Sequence, residues 1–158
     1  MSRSVALLLA TLLCIAAPAP VVAAESHEEA AEGRVAVAVF LGATRADERN
    51  EPTLGFEAGY RIDEHWSVGA VVERADREQD STLLLAGVGW HPFGAGPRIQ
   101  LGIGRKDPRG VEETVVRTGL AYEFELTGGW ALQPYLARDF LDDEEDETVF
   151  GLYFGRNF

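Results

Sequence analysis

Three histidines, one cysteine and a surplus of carboxylates bound the chemistry available to this chain. His27, His65 and His91 leave little material for a histidine metal site, and the lone Cys14 excludes a cysteine cluster or an internal disulfide. Ser67 and His91 are the types of a nucleophile and its base, but such a pair needs a third group to orient it. The run Asp142-Asp143-Glu144-Glu145-Asp146-Glu147 offers oxygens to a hard divalent cation. It lacks the glycine and ligand spacing of a calcium loop, so a solvated, self-repelling loop explains it better. Arg45, Arg74, Arg105 and Arg138 carry planar guanidinium forks suited to phosphates. The whole chain of 158 residues has 14 Lys+Arg against 26 Asp+Glu, a net charge of −12, which argues against a nucleic-acid partner.

What positions these groups begins after a leader. Arg3 is the only charge before Glu25, Val5 to Val22 is apolar or small, and the run closes on Val22-Ala23-Ala24. That is the pattern of a signal peptide over 1–24, cleaved near Ala24. A membrane anchor fits less well, because Pro18 and Pro20 break the run and no basic cluster follows it. Residues 25–33 read as a flexible acidic lead-in.

From Arg34 the hydrophobic period is two, the period of strands. Strands are expected near 34–43, 53–62, 65–74, 82–92, 98–106, 114–126, 130–140 and 148–158. Most approach the ~9–11 residues a tilted strand needs to cross a bilayer. Short turns rich in Gly, Pro and Asp alternate with more charged loops at 44–52, 75–81, 107–113 and 141–147.

Sorted by parity, one face is apolar and large: Val35, Val37, Val39 and Leu41, then Phe56 and Tyr60, and so on to Phe154 and Phe158. The other face is small or polar, with glycines and a charged set of Glu57, Arg61, Glu73, Gln100, Arg117, Glu123 and Gln133. A water-soluble barrel has the reverse arrangement. Narrow interiors have room for glycine and for paired Glu and Arg, so the polar face is expected inside and the apolar face against lipid. Tyr60, Trp66, Trp90, Phe124, Trp130 and Phe158 share the outward parity and the short-turn end, as an interfacial aromatic girdle would.

These features resemble the small eight-stranded outer-membrane β-barrels, of the kind formed by the OmpA transmembrane domain and OmpX. The most specific likeness is the last segment, where Phe150, Leu152, Phe154 and Phe158 alternate to a terminal phenylalanine. Arg156 and Pro134 depart from the pattern. The resemblance covers 34–158. It implies an all-β, antiparallel up-and-down barrel in the outer membrane of a Gram-negative cell envelope. It also implies both termini in the periplasm, short turns inside, longer loops outside, and a terminal strand read by the barrel assembly machinery; a monomer without a cofactor is expected.

Function divides into classes. A structural or surface-interaction barrel with a closed polar interior is the leading expectation. A narrow, porin-like channel requires loosely packed luminal charges. A lipid A-modifying enzyme requires a Ser/His/acid set on the lipid-facing wall, whereas His65 and His91 fall at the opposite end. A soluble lipocalin-like barrel would invert the parity assignment. No catalytic residue is therefore expected. The four outward arginines, at the loop-side ends of odd-numbered strands, are expected to reach outer-membrane lipid headgroups and grip lipopolysaccharide phosphates.

Overall fold

The computed structural model describes residues 35–46, 49–76, 81–108, 113–142 and 145–158. The expected leader and acidic lead-in lie outside them. The strands are β1 (Val35–Ala46), β2 (Arg49–Arg61), β3 (Trp66–Ala75), β4 (Ser81–Trp90), β5 (Pro97–Pro108), β6 (Glu113–Tyr122), β7 (Phe124–Glu125), β8 (Trp130–Leu141) and β9 (Glu147–Asn157). They pair in the order β6-β5-β4-β3-β2-β1-β9-β8-β7, and β6 also pairs with β8, which closes the sheet. Every pairing is antiparallel. Because β6 and β7 are successive pieces of one stave, the result is a closed eight-stranded barrel.

The break in that stave has a cause on its neighbour. Ala121 faces Tyr135 and Phe124 faces Leu132, so the register is the same on both sides of the gap. Between them on β8 stand Gln133 and Pro134. Pro134 has no N–H to give, and its pairing to β9 continues unbroken opposite Leu152. The single stave expected over 114–126 is interrupted for this reason. Glu125, of inward parity, ends up exposed at the barrel mouth.

A second difference lies at the other end. The strands run on into the expected loops, leaving connections of only 47–48, 76–80, 109–112 and 142–146. Charged residues there still fall on both faces, with Glu51, Glu113 and Glu147 turned inward. Glu147, expected within a solvated acidic loop, is buried in β9 and ion-paired to Lys106. Asp142, Glu145 and Asp146 are exposed, and residues 143–144 lie outside the described part.

The inside–outside assignment is inverted relative to a water-soluble barrel. Arg117, Glu73, Lys106, Asp139 and Glu147 are buried, while Leu41, Leu84, Leu120 and Leu136 are each more than half exposed. The lumen departs, however, from the small and polar lining expected. It contains an apolar cluster of Val71, Leu83, Leu85 and Val115, and an aromatic one around Phe40, Tyr135 and Tyr153.

Candidate functional site

Toward the loop end, the lumen is filled by ion pairs. Arg117 makes two parallel bonds to Asp139 (Nε–Oδ1 2.6 Å, Nη2–Oδ2 2.8 Å) and a third to Glu73 Oε1 at 2.7 Å. This fork geometry uses the guanidinium as only arginine can, and it satisfies the acids that burial would otherwise penalise. Lys106 holds Glu147, and the hydroxyls of Thr44 and Thr53 meet at 2.8 Å. The remaining void is about 10 Å³.

Next to this cluster the rings of Phe40, Tyr135 and Tyr153 cross the lumen, with centroids 4.8–6.0 Å apart. Tyr153 donates to Glu73 Oε1 at 3.4 Å, linking ring and ion pair. Glycines make the space. A Cβ at Gly42 or Gly151 would strike the Phe40 ring, and one at Gly119 would lie 2.7–3.0 Å from the Tyr135 ring and hydroxyl. Gly42, Gly151 and Gly119 thus leave the space that the Phe40 and Tyr135 side chains fill.

Toward the turn end, the lumen opens into a cavity of about 60 Å³, lined by Glu57, Ser67, His91, Arg98, Gln100 and Gln133 among others. Arg98 bonds Glu57 through both terminal nitrogens (2.7 and 3.3 Å), and Gln133 donates to Glu123 at 2.7 Å. Arg61 caps the backbone carbonyls of Glu64 and Gly94. Arg98 Nε and Gln100 Oε1 are buried without a protein partner. The expected luminal set therefore forms separate groups rather than one network: Glu73 and Arg117 at one end; Glu57, Arg61, Gln100, Glu123 and Gln133 at the other.

Ser67 Oγ and His91 Nε2 do approach, at 3.1 Å. His91, in the turn at 91–96, is pushed down to about 4 by burial, helped by the charges of Arg61, Arg98 and His65. Its ring is neutral at pH 7 and could accept a proton. Among the described residues no carboxylate hydrogen-bonds that ring, so the orienting group of a triad is missing.

On the outer wall, Tyr60, Trp66, Trp90, Phe124, Trp130 and Phe158 are all exposed at the turn end. Trp66 and Trp90 are register partners, and Trp130 stacks on Phe154 at 4.9 Å. Phe150 and Leu152 also face outward. The Arg156 guanidinium, anomalous in sequence, lies 5.0 Å from the Phe158 ring centre and 5.9 Å from that of Trp130. The cation thus rests on aromatic faces, where such contacts are favourable. Arg45, Arg74, Arg105 and Arg138 are exposed and outward.

No protein-family model matches the chain, and no curated protein matches it in sequence. Solved structures do. The N-terminal β-barrel domain of Pseudomonas aeruginosa OprF superposes with a TM-score of 0.65 at 15% identity, over 80% of this chain and 100% of that one. The fold is that of the small eight-stranded outer-membrane barrels. Yersinia pestis outer membrane protein Ail, in a phospholipid bilayer nanodisc, gives 0.55 at 13% identity, over 80% and 100%. The outer membrane enzyme PagL gives 0.55 at 13%, over 78% and 99%.

Several luminal residues escaped the reading of the sequence as partners. Arg98 shares parity with Gln100, and Phe40 alternates against Val39 and Leu41, so position alone marks both as inward. Lys106, Asp139 and Glu147 follow the same rule, but no spacing indicates which acid meets which base.

Proposed function

We propose that this chain is an integral outer-membrane barrel with a closed lumen, serving a structural or surface-interaction role and touching lipopolysaccharide through Arg45, Arg74, Arg105 and Arg138. The observation that carries this is the pairing of an apolar outer wall with a lumen blocked by the Arg117 ion pairs and the Phe40–Tyr135–Tyr153 rings. An apolar belt of this kind is stable only against lipid. A blocked lumen argues against the channel, because eight strands leave an interior that side chains fill. Short connections at the loop end leave the wall and rim, rather than long loops, as the surface available to partners. The terminal Phe158 and its alternating predecessors would serve recognition by the assembly machinery.

PagL keeps an enzymatic reading in view. Here the Ser67–His91 pair faces the lumen at the turn end, away from the lipid wall. Expression in a host whose lipid A is then weighed would expose an acyl-transfer or deacylation activity as a mass shift; none is expected. The proposal itself is tested by fractionating cells and running the outer-membrane fraction on SDS gels, boiled and unboiled. A heat-dependent mobility shift in that fraction supports it. Recovery in the soluble periplasm without a shift overturns it.

A further inference from the structure

One cross-strand row on the outer wall is polar throughout. Thr118 pairs with Arg138, Arg138 with Thr148, Thr148 with Arg45, and Arg45 with Asn50. The adjacent row toward the turn end reads Leu120, Leu136, Phe150, Ala43 and Pro52, with no charge in it. The two arginines flank Thr148 on either side of β9. Adjacent strands lie ~4.8 Å apart, so the two Cα atoms are about 10 Å apart, a span two long guanidinium arms can close over one tetrahedral anion. Arg138 is set between the exposed Leu136 and Phe140 on its own strand. Half-exposed at the edge of the apolar wall, its guanidinium can reach an anion outside the chain.

The chain supplies a weak one. Arg138 Nη2 reaches Asp146 Oδ2 at 3.3 Å and Nη1 reaches the Thr148 hydroxyl at 3.3 Å, both at exposed, long geometry. A pair this exposed is worth little and exchanges readily. A phosphate monoester offers more charge and three acceptor oxygens.

We propose that Arg45, Thr148 and Arg138 form a clamp for a phosphate group on the barrel wall, and that Asp146 competes with the phosphate for Arg138. This rests on the lipopolysaccharide-contact reading above and narrows it to one pair of arginines and one internal competitor. The phosphate is that of a lipid headgroup; free inorganic phosphate is the alternative source of the same chemistry.

The test uses the full chain, folded and refined to the heat-shifting form, in phosphatidylcholine nanodiscs with EDTA present. Retention of bis-phosphorylated lipid A is compared with that of its dephosphorylated form by native mass spectrometry. Wild type is expected to favour the phosphorylated lipid about tenfold, and Arg45→Gln with Arg138→Gln to bring the ratio below about twofold. Asp146→Asn is expected to raise retention several-fold, an effect that a merely structural role for Asp146 would not produce. Unchanged preference in the double variant, or lowered retention in Asp146→Asn, overturns the clamp. Competition by millimolar inorganic phosphate against the lipid would overturn the headgroup assignment. Arg74→Gln with Arg105→Gln separates the two levels. If that pair abolishes the preference while the Arg45/Arg138 pair does not, the clamp fails and the wider lipid reading stands. If neither pair matters, both fail.

Discussion

The two ends of the lumen solve the same problem differently. Both must accommodate charge inside a narrow barrel. At the loop end, Arg117 is bound by two acids with its fork fully used, Lys106 is matched to Glu147, and almost no void remains. At the turn end, Arg98 and Glu57 pair beside a cavity of about 60 Å³, and Arg98 Nε has no protein partner. Arg117 and Lys106 and the acids they hold are matched by protein at the loop end, whereas Arg98 Nε and Gln100 Oε1 at the turn end face a polar cavity of a size that admits water. Substitutions should therefore be costly at the loop end and mild at the turn end.

The largest effect is expected from Arg117→Met. It strands Glu73 and Asp139 in a buried site, at a cost of about 3–5 kcal/mol in urea unfolding from lipid vesicles. If Glu73→Gln and Asp139→Asn are added, much of that loss should return, because the uncompensated charges are gone. A loss under ~1 kcal/mol for Arg117→Met alone would break the comparison.

Glycine substitutions sharpen it. Gly42→Ala drives a Cβ into the Phe150 carbonyl and the Phe40 ring, and the backbone there cannot give way. A cost of about 2–3 kcal/mol is expected. Gly59→Ala at the turn end meets only the Val68 carbonyl at 3.5 Å, an ordinary contact. Its stability should change by less than ~0.5 kcal/mol, with stabilisation through reduced unfolded-state entropy as the expected sign. Equal losses at both positions would contradict the contrast in packing.

Glu57→Gln removes the charge opposite Arg98, whose side chain is 12% exposed beside the cavity. Water can take over part of the lost bond, so about 1–2 kcal/mol is expected. A further effect is in pH dependence. His91 is held below its ordinary 6.5, at about 4, so between these values the unfolded chain binds more protons than the folded one. Stability from this group is complete above about pH 6.5 and is lost as pH falls toward 4. His91→Gln should flatten the unfolding midpoint over that window relative to wild type. An unchanged slope would mean that His91 is solvated.

Much of the barrel was legible because alternation survives in single strands. Val35-Ala36-Val37-Ala38-Val39 states its own faces, and the turns are marked by Asp63-Glu64 and Gly128-Gly129. The plug was harder to read. Phe40 has the same side chain as the outward Phe56 and Phe154, and only its place between the outward Val39 and Leu41 of its own strand tells it apart. Val71-Val72, Leu83-Leu84-Leu85 and Val115-Val116 are apolar on both faces, so the inward members hide within continuous runs. Glu147 looked like the end of an acidic loop because its partner, Lys106, is 41 residues away. Ion-pair choice depends on which luminal levels coincide across the barrel, and register between distant staves leaves no mark in local composition. Pro134 was visible as a departure from the strand pattern, but its result, a stave cut in two with Glu125 exposed at the mouth, needed the closed sheet.

The most direct test of a closed lumen is a planar-bilayer recording of the folded, full-length chain. Silence at voltages where open porins conduct is the expected result, with the Phe40–Tyr135–Tyr153 rings and the Arg117 ion pairs in place. A stable unitary conductance, reproduced across independent preparations, would contradict the closed lumen and make the channel the leading reading.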